Sequence, residues 1–199
     1  MSTFGVLLAG GRGTRIGAGV PKAQVEIGGR TLLAHAIAAL VPVCDEIAVT
    51  VPAGMALPPL RHRRVTDGGE GPLGALVAAL ESAEWERAVV LGVDFPLLRG
   101  ATLAALAARL GNFDAVIPRP RGAAQPLAAV YAPTARALLA AAWRDGERSV
   151  MRALGRLDVR WLDDAELDEL PGGRAAFLNV NTRADCAEAE RRLAAGGTT

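Results

Sequence analysis

Short apolar runs alternate along the chain with longer stretches in which apolar positions recur every three or four residues. The short runs are typical of buried strands, whereas the longer stretches have the period of amphipathic helices. Strands are predicted at residues 4–9, 24–27, 46–51, 65–66, 87–93, 114–118, 127–131 and 159–162, with a strand-like run at 176–181. Helices are predicted at residues 32–41, 73–83, 101–110, 134–144 and 147–157, and from an N-cap at Thr182 to about residue 194.

This alternation predicts an α/β fold. A mostly parallel, mixed and twisted sheet with helices on both faces would bury such strands. Right-handed crossovers would then place every strand-to-helix loop at one edge of the sheet, where Rossmann-like folds bind their ligands. No linker, repeat or low-complexity segment interrupts the sequence, so residues 1–199 are predicted to form a single domain with a flexible tail at 196–199.

Composition and charge narrow the classes of function. Of the 199 residues, 51% are hydrophobic, so a sizeable core is expected and intrinsic disorder is not. The net charge of +1 argues against a bulk nucleic-acid binder. We find neither an apolar run long enough to span a membrane nor a signal peptide, and Cys44 and Cys186 lack a metal-binding spacing. These features predict a cytoplasmic protein without nucleic-acid or membrane partners.

The loop at residues 10–22 follows a buried strand and carries Arg12, Arg15 and Lys22, with no acidic residue before Glu26. Its five glycines, at positions 10, 11, 13, 17 and 19, allow the backbone to approach a ligand closely and to direct several N–H groups at it. The pattern favours polyphosphate binding, with an ordinary glycine-rich turn and solvated arginines as the alternative. The loop is not a P-loop, because no Gly-Lys-Ser/Thr closes it, and its glycine spacing does not fit a Rossmann fingerprint.

Two aspartates follow strands at the same predicted edge. Asp94 ends the apolar run at 87–93, and Mg²⁺ would bind its carboxylate together with phosphate oxygens and waters. The alternative is that Asp94 caps the next helix. Asp67 opens a glycine-rich turn at 67–72 and is interpreted as a nucleoside contact, as a residue near the metal, or as part of an Asx-turn that caps the turn.

Two further groups have both a functional and a structural interpretation. Asn179 and Asn181 could join a Mg²⁺ shell or hold a phosphate, or they could only end a strand and cap a helix. Arg148, Arg152 and Arg156 recur every four residues on one face of the helix predicted at 147–157. They would form either a cationic wall for an anionic acceptor or a solvated basic face.

Seven segments resemble the molybdenum cofactor guanylyltransferases, a branch of the nucleotidyltransferase family. They are LAGG at 8–11, Lys22, DGGEGPLGAL at 67–76, VDFPLL at 93–98, QPLAAVY at 125–131, GERSVMRAL at 146–154 and FLNVNTRAD at 177–185. The resemblance implies a nucleotidyltransferase fold and Mg²⁺-dependent transfer of GMP from GTP to the terminal phosphate of molybdenum–molybdopterin, with release of pyrophosphate. It also implies other molybdenum-cofactor proteins and apo-molybdoenzymes as partners.

The motif positions imply roles for single residues. Lys22, Asp94 and Arg15 would carry catalysis, with Asp94 as the Mg²⁺ ligand. The nucleotide would be bound by Leu8, Ala9 and Gly10, whose main-chain groups would hold the guanine, and by Gly11, Arg12, Gly13, Lys22, Thr50, Asp67 and Asp94. Asn179 and Asn181 would lie towards the pterin, and the three arginines at 148, 152 and 156 towards the acceptor. Because the acceptor phosphate is already an anionic nucleophile, no general base is required, and catalysis would depend on positioning and electrostatics.

One segment departs from the family pattern. The sequence GAGVPK at 17–22 is longer than in the family and has a proline before the lysine. This variant is similar to the sugar-1-phosphate and methylerythritol cytidylyltransferases. Two alternatives therefore stay open: a nucleotidyltransferase of the cytidylyl or sugar-1-phosphate type, and a non-catalytic nucleotide-binding or cofactor-delivery protein, against which intact Lys22 and Asp94 argue.

Overall fold

The computed structural model describes residues 2–11, 13–14, 16–17, 19–68 and 71–196. The strands are β1 (Thr3–Leu8), β2 (Glu26–Ile27), β3 (Arg30–Thr31), β4 (Glu46–Pro52), β5 (Arg63–Asp67), β6 (Arg87–Gly92), β7 (Ala115–Pro118), β8 (Ala128–Tyr131) and β9 (Val159–Leu162). The α-helices are α1 (Leu32–Leu40), α2 (Pro72–Leu80), α3 (Gly100–Ala107), α4 (Pro133–Arg144), α5 (Val150–Ala153), α6 (Asp164–Asp168) and α7 (Arg183–Gly196). Single 3₁₀ turns lie at Lys22–Gln24, Pro120–Gly122, Leu154–Arg156 and Arg174–Phe177.

The predicted α/β fold with a mostly parallel, mixed sheet is confirmed. Seven strands form one sheet in the order β5-β4-β1-β6-β8-β7-β9, and β2 pairs with β3 in a separate hairpin. β1 is parallel to β4 and β6, β4 to β5, and β7 to β9, whereas β8 is antiparallel to both of its neighbours.

Helices cover both faces of the sheet because alternate side chains of the buried strands enter two separate apolar layers. On β1, Leu7 belongs to the layer that contains α1, α3 and α7, and Val6 to the layer that contains α2, α4 and α5. Every residue of β1 is buried, as is typical of a strand inside a parallel sheet. The β1-to-β4 crossover passes over one face and the β5-to-β6 crossover over the other, so a crevice forms where the carboxyl ends of these strands meet.

The expectation that every strand-to-helix loop shares one edge is wrong for β8. Residues 119–127 separate β7 from β8, fewer than the dozen or so that a parallel crossover needs, so β8 runs antiparallel. The loop from β8 to α4 therefore lies at the opposite edge, and Leu127, just before β8, lies at the ligand edge instead.

The helix predicted at 147–157 is confirmed only over residues 150–156. The Ser149 side chain accepts a hydrogen bond from the Arg152 N–H, so α5 begins after Ser149, and it gives way to a 3₁₀ turn after one turn. Arg148 consequently precedes the helix, and the three arginines do not share one helical face. Met151, between them in the sequence, is 49% exposed.

The strand-like run at 176–181 does not join the sheet. It contains the end of a 3₁₀ turn and an irregular segment whose Val180 N–H donates to the Asp94 carbonyl at 2.8 Å. Ala176, Phe177 and Val180 are buried, which explains the apolar pattern without a strand. At the carboxyl end, α7 extends to Gly196, and residues 197–199 of the predicted tail lie outside the described part of the chain.

Within the described residues, no helix has both the length and the apolar character that crossing a membrane requires.

Candidate active site

A cavity of about 1130 Å³ opens at the carboxyl ends of β1, β4, β5 and β6, beside the first turn of α2. The sequence pattern predicts a ligand site at this edge, and the volume suits a nucleoside triphosphate. The predicted site residues that line it are Leu8, Gly10, Gly11, Gly13, Lys22, Thr50, Asp67, Asp94 and Asn181. Ala9 lies beneath the surface, fully buried, where its N–H donates to the Thr50 carbonyl at 3.0 Å.

The glycine-rich loop forms one rim of the cavity. Gly11 and Gly13 have φ angles of +117° and +60°, which other residues rarely adopt. The Gly13 carbonyl accepts hydrogen bonds from the N–H groups of Ile16 at 3.0 Å and Gly17 at 3.2 Å, which closes a turn. The N–H groups of Gly10, Gly11 and Gly13 meet no acceptor among the described residues, so they are available to an anion such as phosphate.

Some predicted site residues lie outside the described part of the chain. They are Arg12 and Arg15 of the loop. Gly69 and Glu70, in the turn at 67–72, also lie outside the described part. The roles of both arginines therefore remain predictions.

Thr50 and Asp67 end neighbouring strands and form the wall of the cavity below the loop. Thr50 is fully buried, and its hydroxyl donates to the Leu7 carbonyl at 3.4 Å. Asp67 is 6% exposed. Both residues thus line the cavity from the sheet itself.

Lys22 is the only lysine of the chain and is buried at the cavity. Its backbone N–H donates to the Gly11 carbonyl at 3.2 Å, which folds the end of the loop back onto its beginning. Its Nζ lies 2.8 Å from Asn181 Oδ1 and 3.2 Å from Asp94 Oδ2. A buried ammonium needs such partners, and these two hold the positive charge at the cavity that the glycine-rich loop borders.

Asp94 leaves the end of β6 with its carboxylate over Gly92. A Cβ atom at position 92 would collide with Asp94 Oδ1, so the side chain can occupy this place only above a glycine. The helix-capping alternative for Asp94 is wrong, because α3 begins after Arg99. With its backbone carbonyl bound by Val180 and its carboxylate by Lys22, Asp94 joins three segments of the site.

Asn179 and Asn181 are connected to each other and to Lys22. Asn181 Nδ2 donates to Asn179 Oδ1 at 2.6 Å, while its Oδ1 accepts from Lys22. Asp185 holds this segment in place, because its Oδ2 accepts from the N–H groups of Asn181 at 2.9 Å and Thr182 at 2.7 Å. Burial alone would raise the pKa of Asp185, but these donors outweigh it and lower the pKa below its ordinary value.

Among the described residues, no group of three or more histidine, cysteine, aspartate or glutamate side chains forms a preformed metal centre. The cavity nevertheless suits Mg²⁺, which prefers one or two carboxylates completed by substrate phosphates and waters. Asp94 would supply the carboxylate. Lys22 contacts only one of its two oxygens, and its side chain is 20% exposed, so a metal could still reach it.

Arg148, Arg152 and Arg156 are exposed and do not line the cavity. Arg152 pairs with Glu147 at 2.7 Å and Arg156 with Asp145 at 2.7 Å. The hydrogen bond from Arg152 is the main reason why the pKa of Glu147 falls to about 2. The Arg148 guanidinium lies 3.9 Å from the centre of the Trp143 ring instead, so it differs from the other two in having no carboxylate pair among the described residues.

Sequence reasoning missed three residues that shape the site. Asp185 could have been found, because Thr182 and Asp185 have the spacing of a capping box. Gly92 and Arg183 left no local signal. Arg183 contacts the glycine-rich loop, which lies 167 positions away in the sequence.

The comparisons with known proteins agree with this geometry. Residues 5–160 match the family model described as "MobA-like NTP transferase domain". The chain is 36% identical over 196 residues to a probable molybdenum cofactor guanylyltransferase of Chloroflexus aggregans, covering 93% of this chain and 92% of that relative. It is also 48% identical to the 2-C-methyl-D-erythritol 4-phosphate cytidylyltransferase of Deinococcus radiodurans, but over only 82 residues, 41% of this chain and 35% of the relative.

A solved structure has the same fold. The molybdopterin-guanine dinucleotide biosynthesis protein A of Archaeoglobus fulgidus superposes with a TM-score of 0.78 at 23% identity, covering 96% of this chain and 99% of that one. The nucleotidyltransferase fold expected from the sequence is thereby confirmed, and the family model and the sequence relatives confirm the enzyme class. The chain belongs to the MobA-like NTP transferase family and, within it, to the molybdenum cofactor guanylyltransferases.

Proposed function

We propose that this enzyme transfers GMP from GTP to the terminal phosphate of molybdenum–molybdopterin and releases pyrophosphate. The observation that carries the proposal is the position of Lys22, whose backbone N–H binds the Gly11 carbonyl and whose buried ammonium contacts both Asp94 and Asn181. Nucleotidyl transfer needs positive charge at the α-phosphate and at the departing pyrophosphate, and a fixed ammonium in a cavity of this size supplies it.

The nucleotide side of the site is the glycine-rich loop with the ends of β4 and β5. The N–H groups of Gly10, Gly11 and Gly13 would hold the triphosphate, and Lys22 would neutralise it. The guanine would bind main-chain groups of Leu8, Ala9 and Gly10, as the family resemblance implies. Arg12 and Arg15 would add charge at the same loop.

The acceptor side is the segment that contains Asn179 and Asn181. Asn181 contacts Lys22 directly, so an acceptor bound there would present its phosphate close to the same ammonium. That phosphate is already ionised and serves as the nucleophile, which explains why the cavity needs no general base. The three exposed arginines would act at longer range on this anionic acceptor.

Mg²⁺ at Asp94 belongs to the same proposal. When bound, it would polarise the phosphoryl oxygens of the nucleotide as a Lewis acid. The residues of the chain would meanwhile orient the reactants: Gly92 leaves room for the carboxylate, and Lys22 fixes one of its oxygens. Protein partners, namely other molybdenum-cofactor proteins and apo-molybdoenzymes, are proposed from the resemblance alone.

Cytidylyl transfer is the second candidate. The local identity of 48% with a methylerythritol phosphate cytidylyltransferase and the long loop with proline before Lys22 favour it. The relatives that cover nearly the whole chain favour guanylyl transfer instead.

A nucleotide screen tests the proposal. Pyrophosphate release would be measured with GTP, CTP, UTP and ATP in the presence of Mg²⁺, each with molybdopterin or with methylerythritol phosphate as the acceptor. We expect release with GTP and molybdopterin only. Turnover of CTP with the sugar alcohol phosphate would support the second candidate, and GTP binding without turnover would indicate a delivery protein.

A further inference from the structure

Arg183, the first residue of α7, reaches from its helix to the glycine-rich loop. Its Nε donates to the Ile16 carbonyl at 3.0 Å and its Nη2 to the Gly17 carbonyl at 3.4 Å. A Cβ atom at position 17 would lie 3.0 Å from Nη2, so the contact also depends on a glycine there. Arg183 is exposed, yet it lies against two backbone carbonyls of the loop that forms the rim of the cavity.

The segment that carries Arg183 also holds the other end of this loop. Asn181, two residues earlier, accepts the hydrogen bond from Lys22 Nζ, and Lys22 ends the loop. Asp185 fixes the segment by accepting the N–H groups of Asn181 and Thr182. Residues 181–185 therefore hold the loop at two points, near its middle through Arg183 and at its end through Asn181.

Holding the carbonyls of Ile16 and Gly17 affects how the loop binds an anion. These two residues close the turn on the Gly13 carbonyl, so a fixed turn also restricts the backbone of Gly13, whose N–H, on the other side of its Cα atom, is available to phosphate. A glycine-rich loop otherwise loses much conformational freedom when a ligand orders it. A loop that is ordered beforehand loses less, and its ligand binds more tightly.

We propose that Arg183 is a positioning residue that orders the glycine-rich loop for triphosphate binding without touching the nucleotide itself. The inference rests on the proposed function, because it takes the loop to be the triphosphate site. Two alternative roles for Arg183 make different predictions. It could contact phosphate directly, or it could only stabilise α7.

The first measurement is made without nucleotide. Amide hydrogen exchange of residues 10–17 would be compared in the wild type, Arg183→Ala, Arg183→Lys and the matched control Arg191→Ala. Arg191 is exposed on the same helix and pairs with Glu188 away from the loop. We expect about tenfold faster exchange of the loop in Arg183→Ala, partial protection in Arg183→Lys, because its single ammonium replaces a two-armed donor, and no change in Arg191→Ala.

The second measurement is steady-state kinetics with GTP and Mg²⁺. We expect Arg183→Ala to raise the KM for GTP about tenfold, which corresponds to about 1.4 kcal/mol, with kcat within about twofold of the wild type. Arg183→Lys should recover part of this loss. Should Arg183→Ala fold poorly, the comparison of Arg183→Lys with the wild type carries the same test.

Two results would overturn the inference. Unchanged loop exchange together with weaker GTP binding would make Arg183 a direct phosphate ligand. A lower melting temperature with unchanged KM would make it a helix anchor only. Failure of the proposed function looks different, because the wild type would then turn over another nucleotide or none, while the exchange measurement in the nucleotide-free protein would still report on the contact.

Discussion

Lys22 Nζ lies 3.2 Å from Asp94 Oδ2, so the ammonium proposed to bind phosphate and the carboxylate proposed to bind Mg²⁺ contact each other directly. Their side chains are only 11% and 20% exposed, which limits screening by solvent. Each charge is thus stabilised by the other in the absence of substrate. When a nucleotide and a metal bind, Lys22 would also interact with phosphate and Asp94 with the metal.

The contact predicts that Lys22 competes with metal for Asp94 when no nucleotide is present. Removing the ammonium in Lys22→Met should therefore tighten nucleotide-free Mn²⁺ binding by about tenfold, because an adjacent cation disfavours a second one. The same variant should bind GTP more weakly and transfer GMP more slowly. Electron paramagnetic resonance of free Mn²⁺ measures the first effect; equal or weaker Mn²⁺ binding by the variant would contradict it.

Arginine should not replace Lys22. The ammonium contacts Asn181 Oδ1 at 2.8 Å and Asp94 Oδ2 in a buried site, and a planar guanidinium is larger and needs a different arrangement of acceptors. We expect Lys22→Arg to lower kcat/KM for GTP by about 10²-fold although the charge is kept, which corresponds to about 2.7 kcal/mol. Kinetics within threefold of the wild type would show that charge alone matters at this position.

Asp94→Asn tests the assignment of Asp94 to Mg²⁺. A Lewis acid contributes several kcal/mol to transition-state stabilisation, so we expect transfer to fall by about 10²- to 10⁴-fold. The nucleotide-free protein should also lose about 1–2 kcal/mol of unfolding free energy, because Lys22 keeps its ammonium but loses a charged partner. Activity, Mg²⁺ dependence and thermal unfolding measure these effects; an active variant with normal Mg²⁺ dependence would end the metal assignment.

Gly92→Ala should displace the Asp94 carboxylate. The added methyl group would collide with Asp94 Oδ1, so we expect the side chain to move and transfer to fall at least about tenfold. Gly155→Ala is the matched control, because a Cβ atom there meets nothing within 4 Å. If both variants retain wild-type activity, the position of Asp94 above Gly92 is not required.

The arginines at 148, 152 and 156 should not contribute equally to acceptor binding. Arg152 and Arg156 are paired with carboxylates, whereas Arg148 lies over Trp143, a residue that also contacts Gly74 of α2. We expect Arg148→Ala to raise the KM for molybdopterin about threefold to tenfold without changing the KM for GTP, and Arg156→Ala to have less effect. Wild-type kinetics in all three alanine variants would show that these arginines form only a solvated basic surface and do not contribute to acceptor binding.

The sequence predicts the residues at the ligand-binding edge of the sheet better than it predicts strand direction and helix bounds. Lys22 and Asp94 could be assigned to one site because each follows a strongly apolar strand, and parallel strands end at the same edge. The direction of β8 could not be predicted in this way, because a buried strand has the same apolar pattern in either direction. The short helix α5 depends on whether Ser149 caps it, and the run at 176–181 is apolar because it is buried, not because it is paired.

The single lysine has a practical consequence for chemical modification. Every other basic side chain of the described surface is a guanidinium or an imidazole, so the ε-amine of Lys22 is the only side-chain amine that acylating agents, or enzymes that acetylate or ubiquitinate lysine, could use. It is buried where it lines the cavity, which limits the access of such enzymes. A small acylating reagent that enters the cavity would therefore leave its label on one known side chain, and a ligand that fills the cavity would protect it. The protein thus carries its own reporter of occupancy, which mass spectrometry of a single peptide can follow.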